Sequence, residues 1–230
     1  MEKKVKKVKL ALPASGSGTD ADSIMKAWRA GCIPEIEDIL LVSTKEGAGC
    51  LDKANDCLVK SCLALCKGPS EIGYFNRNLK VVLQDAGINL VFLVGCVHKV
   101  FTIDGIPIYN IHPADPKKHG GDTMYGLAVH EHVLEEIGDL MARGRGMTRT
   151  RFFTFPTVHE VDYGGYDTGN ILLQQSVEIP PIIINEYIEG KTDPLKAAKK
   201  LQDHVLPYEH LMLPAAVRMA ARRILERTEK

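Results

Sequence analysis

KLALPASGSGTDADSIMKAWRA, residues 9–30, combines an apolar segment, a glycine-rich loop and an amphipathic segment. The apolar pattern over residues 5–12 predicts a buried first strand, and residues 13–20 predict a loop. Asp20 is of a type that caps helices, so we expect a helix from there to about Ala30, with Gly31 as its stop. This strand, loop and helix form the opening unit of an α/β fold.

Apolar segments and helical patterns continue to alternate through the first half of the chain. Strands are predicted at residues 38–43, 89–94 and 106–112, and helices at 51–66, 75–86 and 122–140. The alternation predicts a Rossmann-like, mostly parallel sheet with helices on both faces. The second half adds a predicted hairpin of residues 151–161 and 171–179, followed by helices at 194–206 and 209–227, separated by Pro207.

The composition narrows the classes of partner. Lys plus Arg number 29 and Asp plus Glu number 29, which argues against nucleic acid because phosphate binding needs a positive excess. No apolar run approaches the roughly 20 residues of a membrane helix, and residues 10–14 are too short for a signal-peptide core. We therefore expect a cytoplasmic protein with small-molecule substrates and no membrane, and we leave a homodimer open.

The six cysteines show no C-x-x-C pair and no zinc spacing. We expect buried thiols that act as small hydrophobes, and no metal. Cys62 and Cys66 are predicted to share one face of the helix at 51–66.

The glycine loop is the first candidate binding site. Its residues 16–21 match G-x-G-x-x-A, and a helix N-terminus offers free amides to an anion. The dinucleotide fingerprint also needs an acid at the end of the second strand, where this chain has Val42-Ser43-Thr44-Lys45, so a nicotinamide cofactor is not expected. A phosphate ligand and a plain turn both remain open.

Three further motifs carry polar groups suited to chemistry. Asn110 and His112 are two apart on a predicted strand and should project together at its carboxyl end, where Pro113 leaves His112 exposed. An amide beside an imidazole can stabilise an oxyanion and move a proton.

Asp167 lies in a glycine-rich loop and would raise the pKa of a nearby His112. Glu209 and its neighbour His210 are expected to open the last helix. An ordinary strand-end histidine, a solvated acidic turn and a plain helix start are the alternatives.

In their order and spacing, these motifs resemble the phosphoribosylglycinamide formyltransferase family over nearly the whole chain. The matching segments are residues 15–20, residues 93–98, Asn-Ile-His-Pro at 110–113, Val-His at 158–159, Asp-x-Gly at 167–169 with Gln174, and Glu209-His210 with Pro214.

The resemblance implies a formyltransferase fold and transfer of a formyl group from 10-formyltetrahydrofolate to an amine. Asn110 and a charged His112, assisted by Asp167, would stabilise the developing oxyanion. It also implies two binding regions. The amine substrate would contact Gly16, Ser17, Gly18, Thr19, Asp20 and Glu209, and the pterin would contact Val97, His98, Val100, Tyr163 and Gly165.

The resemblance also implies a single formyltransferase-like domain over residues 1–230, with a Rossmann-like half at 1–100 and a catalytic-motif half at 101–230. Glycinamide ribonucleotide, a purine-biosynthesis intermediate, is the leading acceptor. A 10-formyltetrahydrofolate hydrolase and a non-catalytic ligand-binding protein are the alternatives. The amine site departs from the family pattern, because Asp20 replaces an Asn and Leu206 replaces a polar residue.

An arginine cluster at 143–151 is either a solvated loop or a clamp for a phosphate or a glutamate tail.

Overall fold

The computed structural model describes residues 7–144, 151–163, 165 and 167–228. The elements, in chain order, are β1 (Val8–Ala14), α1 (Thr19–Arg29), β2 (Ile36–Ser43), α2 (Gly49–Asp56), β3 (Lys60–Leu63), a 3₁₀ turn (Pro69–Glu71), α3 (Ile72–Asp85), β4 (Leu90–Leu93), β5 (Ile108–His112), α4 (Pro116–His119), α5 (Leu127–Ala142), β6 (Phe153–Thr154), β7 (Thr157–Glu160), β8 (Ile171–Gln174), β9 (Val177–Glu178), α6 (Pro181–Ile188) and α7 (Pro194–Thr228).

Seven strands form the central sheet in the order β3-β2-β1-β4-β5-β7-β8. The pairs from β3 to β5 are parallel, whereas β7 and β8 run antiparallel to their neighbours. β6 and β9 form a separate antiparallel pair. The predicted α/β fold with a mostly parallel sheet is confirmed, and the carboxyl ends of β1, β4 and β5 lie at the same edge.

Helices cover both faces of this sheet because side chains alternate along each strand. On β1, Leu10 and Leu12 belong to the core layer shared with α1, α2 and the second half of α7. Ala11 faces the opposite layer, where Phe75 and Leu79 of α3 are fully buried. A third cluster joins α5, α6 and the first half of α7. Within the described ranges, no helix is both long and apolar enough to span a bilayer.

Two predictions for the first half were wrong. The predicted helix at 51–66 ends at Asp56, Leu58 takes a left-handed φ of 54°, and residues 60–63 pair with β2 as an edge strand. The apolar pattern there fits both periods, and pairing with the free edge of β2 decides between them. Cys62 therefore lies on a strand and shares no helix face with Cys66. Asp20 does not cap α1 either, because the cap position is Gly18.

In the second half of the chain, the predictions were wrong about where helices and strands are interrupted. The two predicted closing helices are one, α7, with Pro207 and Pro214 inside it. An internal proline costs about 3 kcal/mol, but α7 buries Leu201 with one core cluster and Leu213 with another, which offsets that cost. Each predicted hairpin strand is divided into two short strands. The sequence did not predict α4 or α6.

The cysteines are free thiols throughout the described chain. Cys50, Cys57 and Cys66 are buried as expected, whereas Cys62 and Cys96 are half-buried and Cys32 is exposed. Most of the arginine cluster, residues 145–150, lies outside the described residues. At its ends, Arg143 pairs with Asp139 at 3.0 Å and Arg151 with Glu178 at 3.2 Å.

Candidate active site

A cavity of about 830 Å³ opens at the carboxyl edge of the sheet. Every residue that the sequence singled out as a site residue lines it, including the catalytic candidates, the glycine loop, Glu209 and the proposed pterin contacts. The cavity therefore joins segments that are far apart along the chain. Its position at the strand ends is the usual place for a ligand in an open α/β sheet.

The glycine loop is held tightly against α2. Gly18 has a φ of 71°, and a Cβ on it would lie 2.4 Å from Cβ of Cys50. The Cys50 amide donates to the Gly16 carbonyl at 3.1 Å. No side chain caps α1, so the first-turn amides at this wall of the cavity are available to an anion.

Asn110 and His112 project from β5 into the same cavity, as their spacing predicts. His112 is nevertheless buried, with only 3% of its surface exposed, so the prediction of an exposed rim residue was wrong. The cause is the turn after α4, which covers the ring. Nε2 of His112 lies 2.9 Å from the carbonyl oxygen of His119 and donates to it when protonated.

Asp167 completes the cluster from the loop between β7 and β8. Its backbone is left-handed, with a φ of 57°, which costs energy for a non-glycine residue. Oδ2 accepts the Gly121 amide at 3.1 Å and lies 3.7 Å from Nδ1 of His112. Oδ1 lies 3.3 Å from Nε2 of His159. The carboxylate thus lies between two imidazole rings.

Burial outweighs this carboxylate in setting the charge of His112. Removal from solvent lowers the pKa of His112, and the opposing attraction of Asp167 does not restore it. Asp167 does raise the pKa of His112, as expected, but burial has the larger effect, so the implied charged His112 is wrong and the resting imidazole is neutral at pH 7. Burial raises the pKa of Asp167, but hydrogen bonds from His159 and Gly121 and the proximity of His112 together hold it below its usual value.

His159 also lines the cavity, and the sequence motifs did not assign it a role. On β7, His159 lies directly opposite Asn110 on β5, and its Nε2 is 3.5 Å from Nδ2 of Asn110. Its Nδ1 lies 2.9 Å from the Glu160 carbonyl oxygen, and its Nε2 faces both Asn110 and the Asp167 carboxylate. The signal available was the Val158-His159 match, which gains meaning only once the strand register is known.

The end of the cavity near the glycine loop carries two carboxyl groups. Glu209 is buried, and burial together with the charge of Asp20 raises its pKa well above the usual value. Asp20 in turn lies 3.4 Å from Nε2 of His210, an ion pair only when that ring is protonated. Glu209 lies inside α7 rather than at the helix start that the sequence predicted. Leu206 adds an apolar side chain to this wall.

The segment after β4 and the loop between β7 and β8 form another part of the cavity wall. Val97 and Tyr163 are exposed, whereas Val100 is buried. The Val97 amide donates to Oγ of Ser15 at 3.2 Å, and the Tyr163 hydroxyl donates to Asp104 at 3.1 Å. These contacts join the segment after β4 to the end of β1, and the loop between β7 and β8 to the connection between β4 and β5.

Within the described part of the chain, no group of three or more His, Cys, Asp or Glu side chains comes together as a metal site.

Two curated proteins that are similar in sequence to this chain carry the same name. The chain is 32% identical over 177 residues to the chloroplastic phosphoribosylglycinamide formyltransferase of Arabidopsis thaliana, covering 74% of this chain and 55% of that protein. Its Vigna unguiculata counterpart is 29% identical over 190 residues, covering 80% of this chain and 55% of that protein. The chain thus spans about half the length of these curated relatives. No family model matches it.

Solved structures agree. Glycinamide ribonucleotide transformylase 1 from Symbiobacterium toebii superposes with a TM-score of 0.72 at 26% identity, covering 94% of this chain and 88% of that one. The Geobacillus kaustophilus protein of the same name gives a TM-score of 0.66 at 26% identity, covering 94% of this chain and 100% of that one.

Fold and cavity together define an α/β protein of the formyltransferase fold, with its polar cluster at the carboxyl edge of the sheet. The chain is a homologue of the phosphoribosylglycinamide formyltransferases, as the sequence motifs predicted.

Proposed function

We propose that this protein is a folate-dependent formyltransferase that moves the formyl group of 10-formyltetrahydrofolate to a small phosphorylated amine. Glycinamide ribonucleotide, in purine biosynthesis, is the leading acceptor. The observation that carries the proposal is the convergence of Asn110, His112 and Asp167 on one cavity in a homologue of enzymes with that name.

Asn110 is the proposed donor to the developing oxyanion. As the amine nitrogen attacks the formyl carbon, the carbonyl oxygen becomes negative and needs a fixed donor. Nδ2 of Asn110 contacts His159 only at 3.5 Å, a weak bond that leaves the amide available to a substrate oxygen. A preorganised donor of this kind is worth about 3–4 kcal/mol of barrier lowering.

His112 and Asp167 are the proposed proton relay. The attacking amine loses a proton as the new C–N bond forms, and N10 of the folate gains one as its bond to the formyl carbon breaks. A neutral His112 can accept the proton of the amine at Nδ1. The Asp167 carboxylate, 3.7 Å from Nδ1, stabilises the resulting imidazolium. The carbonyl of His119 fixes the ring through Nε2.

We propose that the two ends of the cavity bind the two substrates. The uncapped first turn of α1, with Gly16, Ser17, Gly18, Thr19 and Asp20, would take the phosphate of the amine. Glu209, whose raised pKa favours the neutral acid, can donate a hydrogen bond to the same substrate. Val97, His98, Val100, Tyr163 and Gly165 would surround the pterin.

We also propose that residues 1–230 form one formyltransferase-like domain with the halves at 1–100 and 101–230. α7 supports this because it packs in core clusters with both β1 and α5. The homodimer and the cytoplasmic location stay predictions.

The test is release of tetrahydrofolate from 10-formyltetrahydrofolate, followed by absorbance with and without glycinamide ribonucleotide. Turnover only with the amine supports the proposal. Turnover without it would assign a hydrolase, and no turnover in either case would contradict formyl transfer from this donor to this acceptor.

Asn110→Ala should lower kcat about 10²–10³-fold with little change in KM, because the amide acts on the transition state. Asn89→Ala is the matched control. Its amide oxygen only accepts the Lys9 amide at 2.9 Å, away from the cavity, so kcat should stay at the wild-type value. Equal rates for Asn110→Ala and Asn89→Ala would remove Asn110 from the mechanism.

A further inference from the structure

One turn of backbone, residues 119–121, holds two of the three proposed catalytic side chains. The His119 carbonyl oxygen lies 2.9 Å from Nε2 of His112. Two residues later, the Gly121 amide donates to Oδ2 of Asp167 at 3.1 Å. A shift of this turn would therefore move an imidazole and a carboxylate together.

The turn is anchored to α5 by the side chain of His119. Nε2 of this ring lies 3.1 Å from Oε2 of Glu136, and Nδ1 lies 3.2 Å from Nδ1 of His132. Burial lowers the pKa of His119, despite the opposing charge of Glu136. A neutral ring with its proton on Nε2 donates to Glu136 and accepts from His132, so one tautomer satisfies both contacts.

The packing around the turn leaves little freedom to compensate. A Cβ on Gly120 would lie 2.3 Å from the carbonyl oxygen of Pro116 and 2.9 Å from Cβ of Asp167. On the other side, the His119 amide donates to the Asp115 carbonyl at 2.9 Å. The backbone thus passes directly between α4 and the Asp167 side chain.

We propose that His119 is a positioning residue for formyl transfer, which fixes His112 and Asp167 through the 119–121 backbone by binding Glu136 and His132 of α5. This inference rests on the proposed function of the same site. His119 itself need not touch substrate. The charged or titratable groups that face it are Glu136 and His132 from α5, and Asp115 and Lys118 from its own segment.

Three variants test the proposal through turnover. His119→Ala removes both anchors and should lower kcat about 10–100-fold, because misplacing reacting groups by about 1 Å costs up to about 100-fold. His119→Gln keeps a donor for Glu136 and should recover part of that loss. Glu136→Gln changes a partly exposed side chain, creates no cavity and should give a smaller loss in the same direction. In each variant, KM for both substrates should change by less than about twofold.

His204→Ala is the matched control. His204 is a half-buried histidine on α7 whose Nε2 lies 2.9 Å from a backbone carbonyl, that of Glu178, and it does not line the cavity. Its loss should lower stability without changing kcat. If His119→Ala and His204→Ala reduce kcat equally, or if neither changes it, the positioning role of His119 is refuted.

Nuclear magnetic resonance of nitrogen-labelled histidine gives a readout that needs no turnover. The hydrogen bond to the His119 carbonyl raises the pKa of His112. His119→Ala keeps this carbonyl but removes the side chain that holds it in place, so the His112 titration should move to lower pH. In His204→Ala the titration should stay unchanged. An unchanged His112 titration in folded His119→Ala would overturn the inference. An inactive wild-type protein would instead contradict the proposed function, and the titration would still decide whether His119 positions His112.

Discussion

Asp167→Asn keeps the shape of the side chain and removes its charge, so it isolates the electrostatic part of the site. In the proposed reaction, His112 becomes charged when it takes the proton of the amine. The carboxylate oxygen lies 3.7 Å from that ring. At an effective dielectric constant of about 20, the attraction between two full charges at this distance is about 4 kcal/mol.

The lost attraction between Asp167 and a charged His112 can be converted into an expected decrease in kcat. Since about 1.36 kcal/mol corresponds to tenfold, a full charge on His112 in the transition state makes the loss about 10³-fold, and a partial charge makes it about 10²-fold. We expect kcat to fall within this range, with KM values close to the wild-type ones. The acidic limb of the kcat profile should also move to lower pH, because Asp167 raises the pKa of His112.

The assay is steady-state release of tetrahydrofolate across a pH series, with Asp38→Asn as control. Asp38 is half-buried, lies 3.9 Å from Lys60 and does not line the cavity, so its variant should match the wild type. A kcat for Asp167→Asn within about threefold of the wild-type value, or a limb that does not move, would refute the electrostatic role of Asp167.

The remaining predictions concern stability. The folded state lowers the pKa of Asp167, so its charge adds stability above the unfolded pKa and loses it as pH falls through the folded value; urea unfolding should show Asp167→Asn less stable than wild type at pH 7 and equal to it in acid. His130 is 1% exposed, Nδ1 has no partner, and burial lowers its pKa from 6.5 to about 4. The unfolded chain therefore takes up the proton first, and stability should drop by about 3 kcal/mol as pH falls through that interval; His130→Leu should lose this component, and an identical pH dependence in the variant would contradict the assignment. Gly18→Ala should destabilise the fold, because its φ is 71° and Cβ would contact Cys50, whereas Gly16→Ala, with nothing within 4 Å, should be tolerated; equal unfolding midpoints would refute the steric reason.

Local patterns in the sequence were sufficient for four of the five parallel strands, β1, β2, β4 and β5. β4 is continuously apolar, β1 is apolar from Leu10 to Ala14, and β5 is mostly apolar, and all three are bounded by turn residues, so their burial and order could be predicted. The region at 57–66 could not be predicted correctly, because its apolar residues fit a helix and a strand equally. The choice depends on the free edge of β2, which is a property of the assembled sheet.

In the site too, some features follow from local sequence and others depend on the assembled fold. The spacing of Asn110 and His112 placed both on one side of a strand, and the structure puts them on one cavity. His159 was missed because its relevance comes from its register opposite Asn110, and register is fixed by pairing rather than by local sequence. The charge of His112 was misjudged because burial depends on the turn at 119–121, which no motif describes.

The most direct measurement follows a carbon-13 label in the formyl group of 10-formyltetrahydrofolate in the presence of glycinamide ribonucleotide and the wild-type protein. Mass spectrometry should find the label on the amine product, one formyl group per molecule, and the transfer should nearly disappear in Asp167→Asn. Label recovered only as formate, or remaining on the folate, would contradict formyl transfer to this amine.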